Sequence, residues 1–490
     1  MLEQFKNQLQ STDLVAELRA GLIGDGVSIP GPFGAQKLVY ADYVASARAL
    51  RPIEDFVTQN ILPYYANSHT RSSYCGAYMT QMREQARSEI ANSVDASDDY
   101  SVVFTGAGAT AAVNRLVKLL GVEEAVRSGL EPVVFIGPYE HHSNILPWRE
   151  TGAKIVIIPE AAEGGPDLGV LQQKLDDNKS SSLKVGSFSA ASNVTGIQTD
   201  VAEVTKILKA NDAFAVWDYA GGAPYLPVSV KPSGVELDAL FLSTHKFPGG
   251  PAASGLLIVK NKLSATSKPS WPGGGTVTYV SPWNHDYVSS LSAREEAGTP
   301  NVIGDIRAAL CFIVKDAIGA EFLANRQNEL RDRAIAAWKD NKNIRILGHA
   351  TAERLPIFSF QVRDEQGELI QHQLFTRMLS DMYGIQARGG CACAGPYGHE
   401  LLNIDADQSA VMRAEIKEGN SLARPGWVRL NFSYLLSDEK ANFIIESVAE
   451  LANSASKYVD QYVFDEATGS YTHHKEFDLE IELKSSGGCS

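Results

Sequence analysis

The sequence predicts an α/β protein: a large domain built on a mostly parallel sheet, followed by a smaller α+β C-terminal domain. From about residue 100 to 260, apolar runs of strand length alternate with amphipathic stretches, the rhythm of a sheet covered by helices. Near residue 305 this rhythm gives way to long helices and then to short strands. With 490 residues, the chain is too long for one ordinary core, which also calls for two domains.

Taken in order, residues 1–30 form an N-terminal helical segment. "MLEQFKNQLQSTDLVAELRAGLIG" has helical spacing and acidic residues, without the basic start and apolar block of a signal peptide. The large domain is expected over 31–304. Its apolar runs end in the same manner: "DYSVVFTGAGAT" in a Gly/Ala loop, "EPVVFIGPYEHHSN" in Glu-His-His, "KVGSFSAASN" at Asn193, "AFAVWDYAGG" at Asp218 and "LDALFLSTHK" at Lys246. In open α/β sheets ligands lie beyond the carboxyl ends of the strands, so these polar ends are expected to converge on one pocket. The smaller domain is expected over 305–460. "IGDIRAALCFIVKDAIGAEFLANRQNELRDRAIAAW" reads as one or two long helices, and "RLPIFSFQV", "GIQARGG" and "WVRLNFSYL" as strands. "SDEKANFIIESVAELANSA" reads as a capped amphipathic helix. Residues 461–490 are polar and form either an ordered flap or a loose tail.

Composition narrows the function classes. Hydrophobic residues make up 44% and charged residues 21%, as in a soluble globular protein, and no run of 18 apolar residues appears, so no membrane span is expected. The net charge of −14 argues against nucleic acid as a main partner. Cys75, Cys311, Cys391, Cys393 and Cys489 are scattered, which is no disulfide framework and suits a reducing, cytoplasmic location. Cys391 and Cys393 form C-x-C with no second Cys/His pair nearby, so no metal site is expected.

The chemistry starts at Asp218. It follows a buried apolar strand, so its charge needs a partner, and a protonated ring nitrogen would serve. Lys246 comes 28 residues later, enough for a helix and a return to the neighbouring strand end. Burial lowers an amine's pKa and makes it a nucleophile toward an aldehyde. "FTGAGATAAVNRLVKLL" runs strand, small-residue turn, helix. The amides at that helix start, Ala109 among them, and the Thr110 hydroxyl make a phosphate cradle or simply a tight turn. An aldehyde, a phosphate cradle, an acid for a ring nitrogen and a base are the demands of pyridoxal 5'-phosphate, with Lys246 as its Schiff-base lysine.

The motifs "YADYVASAR", "EHHSNILPW", "SNVTG", "STHKFPGG", "WPGGG", "AGTPN" and "RGGCACAGPYG" occur in that order. Together they resemble the class V pyridoxal-phosphate enzymes of the cysteine desulfurase and selenocysteine lyase family, over roughly residues 38 to 450. The resemblance implies the fold type I, aspartate aminotransferase-like architecture and a homodimer with active sites at the subunit interface. It implies Lys246 as the Schiff-base lysine, Asp218 as the partner of the pyridine nitrogen and His141 as the histidine stacked on the ring. Thr110, Ser243 and His245 match phosphate ligands, and Thr299 matches a phosphate contact from the other subunit. Asn193 and Arg429 match the pair that holds the substrate carboxylate, and Cys393, five residues after Arg388, matches the nucleophile. Gly221 stands where many desulfurases carry a glutamine bonded to the cofactor's phenolic oxygen. Molybdenum cofactor sulfurases are similar in that respect and in having a second cysteine, here Cys391.

The resulting expectation is a desulfurase that converts L-cysteine to L-alanine, leaves a persulfide on Cys393 and passes the sulfur to an acceptor protein. A class V carbon–sulfur lyase, aminotransferase or epimerase with Cys393 incidental is the alternative, and a catalytically silent scaffold is a third reading. His69 and His142 stay open between structure and substrate contact, and Cys75, Cys311 and Cys489 are expected to be structural.

Overall fold

The structure, a computed structural model, describes residues 1–466 and 468–475. Seven strands form the large sheet: β1 (Tyr100–Gly106), β2 (Val133–Ile136), β3 (Lys154–Ile157), β4 (Lys184–Ser189), β5 (Phe214–Asp218), β6 (Ala239–Ser243) and β7 (Gly255–Lys260). Their order is β1-β7-β6-β5-β4-β2-β3. Only β7 runs antiparallel to its neighbours; the other pairings are parallel. Six strands therefore point their carboxyl ends at one edge of the sheet.

These strands are apolar almost throughout because both faces are covered. Side chains alternate between two cores, as the period of two requires. Val133 and Phe135 enter one core while Val134 and Ile136 enter the other. Leu240 and Leu242 likewise oppose Ala239 and Phe241. Helix α1 (Gly108–Leu119) covers the second face, burying Ala112, Val113 and Leu116. Helix α2 (Val302–Ile318) is apolar on nearly all sides and packs into the first core, as do Leu2, Phe5, Leu14 and Leu18 of the two N-terminal helices.

A second, antiparallel sheet follows with order β8 (Ile344–Ile346), β9 (Ile357–Arg363), β11 (Trp427–Asn431), β10 (Arg388–Gly390). Helices α3 (Ala320–Trp338), α4 (His372–Tyr383) and α6 (Asp438–Ala452) share its core. Ser437 caps α6 by accepting from the Lys440 N–H, as the sequence predicts. A short helix, α5 (Gly395–Leu402), follows β10. Tyr462–Asp465 pairs with Ser470–His473 as a hairpin; Cys489 and the rest of the C-terminal stretch after residue 475 lie outside the described residues. Among the described residues no helix is long and apolar enough to cross a membrane.

Candidate active site

A cavity of about 290 Å³ opens where the carboxyl edge of the large sheet meets β10, β11 and the turn after β10. Its walls carry Ala109 and Thr110 from the start of α1, His141 after β2, Asn193 after β4 and Asp218 at the end of β5. Ser243, His245 and Lys246 come from the end of β6, and Arg388, Cys393 and Arg429 from the smaller sheet's side. The five strand ends converge because parallel strands in one sheet all stop at the same edge. Thr299 is exposed and His69 is exposed, and neither lines the cavity.

At the helix end, Gly108 takes φ +63°, a left-handed conformation that costs glycine nothing. A Cβ there would lie 3.0 Å from Ser243 Oγ and 3.2 Å from His245 Cε1, so the missing side chain makes the cradle. The Ala109 N–H donates to Ser243 Oγ at 2.9 Å, and the Thr110 and Ser143 hydroxyls are 2.7 Å apart. Burial, reinforced by the nearby Lys246 charge, holds His245 down at about 4. It is neutral at physiological pH.

His141 is shifted the same way, to about 4, first by burial and then by Lys246. Its Nδ1 accepts from the Ser143 N–H at 3.1 Å, which fixes a neutral ring with its proton on Nε2. Asp218 is raised to about 6 by burial, against the Ala220 N–H that its Oδ1 accepts at 2.7 Å and the Lys246 charge. Lys246 is lowered to about 8 by burial, with Asp218 offsetting part of the cost. Amine and carboxylate thus stand on neighbouring strand ends, with Asp218 opposite Phe241 in register.

The side of the cavity formed by the smaller sheet has a feature that sequence reasoning missed. Arg388 and Arg429 are directly opposed across β10 and β11, a like-charge pair that destabilises a sheet. Asp42 lies between them: Oδ2 accepts from Arg388 Nε at 2.9 Å and Oδ1 from Arg429 Nη2 at 3.0 Å. Asp42 falls inside the motif "YADYVASAR", and a carboxylate two residues after the short strand Val39–Tyr40 was the available signal. Arg429 also donates to Asn193 O at 3.2 Å, so the two expected carboxylate ligands are in contact. Arg429 Nε and Asn193 Oδ1 are buried without a partner. Glu140 was also overlooked. It is buried, pushed up to about 7 by that burial, and accepts from Ser189 N and Oγ, tying the segment before His141 to β4.

Gly221 presents only backbone to the cavity, and a Cβ there would lie 3.6 Å from Asn193 Cβ. Cys393 is exposed on the cavity wall, whereas Cys391 is half-buried and packs with the cluster around Tyr397 and Trp427. Cys311 is buried and Cys75 half-buried, both away from the cavity lining. The residues present fit pyridoxal phosphate. Gly108, Ser243 and His245 leave a cradle for a phosphate group, Asp218 provides a buried carboxylate for a ring nitrogen, and Lys246 provides a buried amine in the same cavity.

The chain resembles a probable cysteine desulfurase of Vibrio cholerae, with 28% identity over 363 residues, covering 73% of this chain and 85% of that protein. It resembles cysteine desulfurase CsdA of Escherichia coli at 29% over 376 residues, covering 74% and 86%. The solved structure of that Escherichia coli protein superposes with a TM-score of 0.69 at 23% identity, over 89% of this chain and 98% of the other. A cysteine desulfurase from Thermococcus onnurineus gives 0.70 at 24%, over 85% and 94%. Both share the α/β fold described above. The class-V aminotransferase model matches residues 39–421, from the strand before Asp42 to beyond the cysteine turn, and the chain belongs to the aminotransferase class-V family.

Proposed function

We propose that the protein is a pyridoxal-phosphate-dependent cysteine desulfurase that converts L-cysteine to L-alanine and takes the sulfur as a persulfide on Cys393. The observation that carries this reading is a cysteine thiol on the wall of the cavity that also holds Lys246, Asp218 and Arg429. The names of the similar proteins support it.

When bound, pyridoxal phosphate supplies an aldehyde for amine condensation and a ring that draws electrons from the α-carbon. The protein's part is positioning and proton transfer. Ser243, His245, Thr110 and the Ala109 amide would hold the phosphate, and Thr299 of a second subunit would complete the group. His141, neutral, would lie against the ring, and Asp218 would hold the proton of the ring nitrogen. Asn193 and Arg429 grip the substrate carboxylate, the arginine by two parallel hydrogen bonds. Lys246, lowered to about 8, has a substantial neutral fraction near physiological pH and moves the α-proton of the substrate. The Cys393 thiolate attacks the substrate Sγ; an S–S bond forms, the Cβ–S bond breaks with its electrons left on the carbon skeleton, and alanine leaves after protonation. The sulfur then passes to an acceptor protein.

The working division of the chain is 31–304 for the cofactor domain and 305–460 for the smaller one, and the enzyme is taken as a cytoplasmic homodimer. Exposed Trp271, Tyr279, Val280 and Trp283 lie shortly before Thr299 in the chain, an apolar surface of the kind a second subunit covers.

Incubation with L-cysteine and an added thiol reductant, which reduces the Cys393 persulfide, should yield alanine and sulfide, and Cys393→Ala should keep the cofactor but lose alanine release by at least a hundredfold, with Cys391→Ala far milder. Undiminished alanine release from Cys393→Ala, or pyruvate and ammonia as products, would replace the desulfurase reading by the lyase.

A further inference from the structure

The stems of the cysteine turn are anchored on both sides. On one, β10 pairs with β11 and Arg388 is tied to Asp42. On the other, Tyr397 of α5 stacks edge-on against Tyr139 and its hydroxyl donates to Glu160. Between them, Ala394 N–H donates to Cys391 O at 3.1 Å and closes a tight turn. Its two central residues, Ala392 and Cys393, have φ of 51° and 54°. Such a turn normally carries glycine or asparagine at both places, so alanine and cysteine hold it only under outside constraint.

The constraint comes from His142. Its backbone N–H donates to Cys393 O at 2.8 Å, and its imidazole Nε2 accepts from the Gly395 N–H at 2.9 Å. The ring therefore keeps its proton on Nδ1. Asn193 Nδ2 adds a third bond, to Ala392 O at 2.9 Å. Gly395 is matched to this contact, because a Cβ there would stand 3.0 Å from His142 Nε2. Gly395 is not in the left-handed region, so it is the approach of the ring, and not the backbone angle, that favours glycine.

We propose that His142 is a positioning residue for sulfur transfer: its imidazole pins the strained turn so that the Cys393 thiol faces the cavity. The inference rests on the desulfurase reading above. It gives a role to the second histidine of "EHHSN", which lies beside the ring-stacking His141 but does not line the cavity. Reactivity depends on near-attack geometry, where a misplacement of about 1 Å costs on the order of a hundredfold.

The test uses the holoenzyme. In His142→Ala, cofactor absorption and the KM for L-cysteine should stay within about twofold of wild type, while kcat for alanine release falls roughly ten- to hundredfold. His142→Gln, whose Oε1 can accept from the Gly395 N–H, should recover most of that loss. Gly395→Ala, which pushes the ring away, should reproduce the loss, and the double variant His142→Ala/Gly395→Ala should be no worse than either single one. Hydrogen–deuterium exchange over residues 391–398 should rise severalfold in His142→Ala and Gly395→Ala and not in His142→Gln. Wild-type kcat in His142→Ala while Cys393→Ala is inactive, a glutamine variant no better than alanine, or additive losses would each overturn the role of His142. If Cys393→Ala itself keeps full turnover, the desulfurase reading fails, and unchanged exchange in both His142→Ala and Gly395→Ala would then sink the latch as well.

Discussion

The sheet side and the cysteine side of the cavity are built in opposite ways. On the sheet side, Thr110, His141, Asn193, Asp218 and Lys246 each follow a strand whose neighbours fix its position, and the polar groups inherit the rigidity of the edge. On the cysteine side, Cys393 rests on a short turn in an unfavourable backbone conformation, kept there by contacts from distant parts of the chain. The difference is between groups fixed by a sheet edge and a thiol whose position depends on a few long-range hydrogen bonds that single substitutions can remove.

The largest effect should come from the sheet side. Lys246→Ala should abolish turnover and the absorption of the lysine-bound cofactor while leaving the fold intact, as visible spectra and far-UV circular dichroism would record. Preserved absorption with full turnover would remove Lys246 from the chemistry.

Asp42 joins the two sides, and Asp42→Asn should weaken both. Loss of the buried carboxylate leaves Arg388 and Arg429 opposed without compensation. Breaking such a pair costs on the order of 3 kcal/mol. We expect a lower denaturation midpoint together with a KM for L-cysteine raised at least tenfold, since Arg429 would no longer be held. An unchanged midpoint would show that solvent takes over the role of Asp42.

Gly108→Ala should be smaller in stability terms, about 1–2 kcal/mol for a Cβ in the left-handed region. Its main readout is cofactor affinity, because the methyl group would fill the cradle between Ser243 and His245. Equal affinity by titration would place the phosphate elsewhere.

The smallest effect concerns pH. Lys246 is lowered to about 8 in the folded chain and returns to its ordinary value on unfolding, so between these values the unfolded state binds more protons and stability rises with pH. Lys315 is also pushed down to about 8 by burial, where it donates to Ala223 O and Leu226 O, and it adds to the same window. Denaturation of the cofactor-free protein from pH 7.5 to 8.5, below the range where burial of the Cys311 thiol and of several tyrosines adds a slope of opposite sign, should show this rise, and Lys246→Met should remove part of it. An identical slope in the variant would mean that Lys246 is not desolvated.

Much of this was readable along the chain. The alternation of apolar runs and amphipathic stretches marks strands buried on both faces, and the residues closing "AFAVWD" and "LFLSTHK" mark the site because strand ends in a parallel sheet share an edge. That pattern is local, so the sequence by itself determined the α/β class and the sheet-side residues. Arg429 and Cys393 were also named from motifs, but tertiary structure alone decided what holds them in place. Asp42 meets Arg429 across 387 residues of chain, and His142 meets Gly395 across 253. Pairings at such separations follow from how two sheets pack together, and no period or motif spacing carries that information.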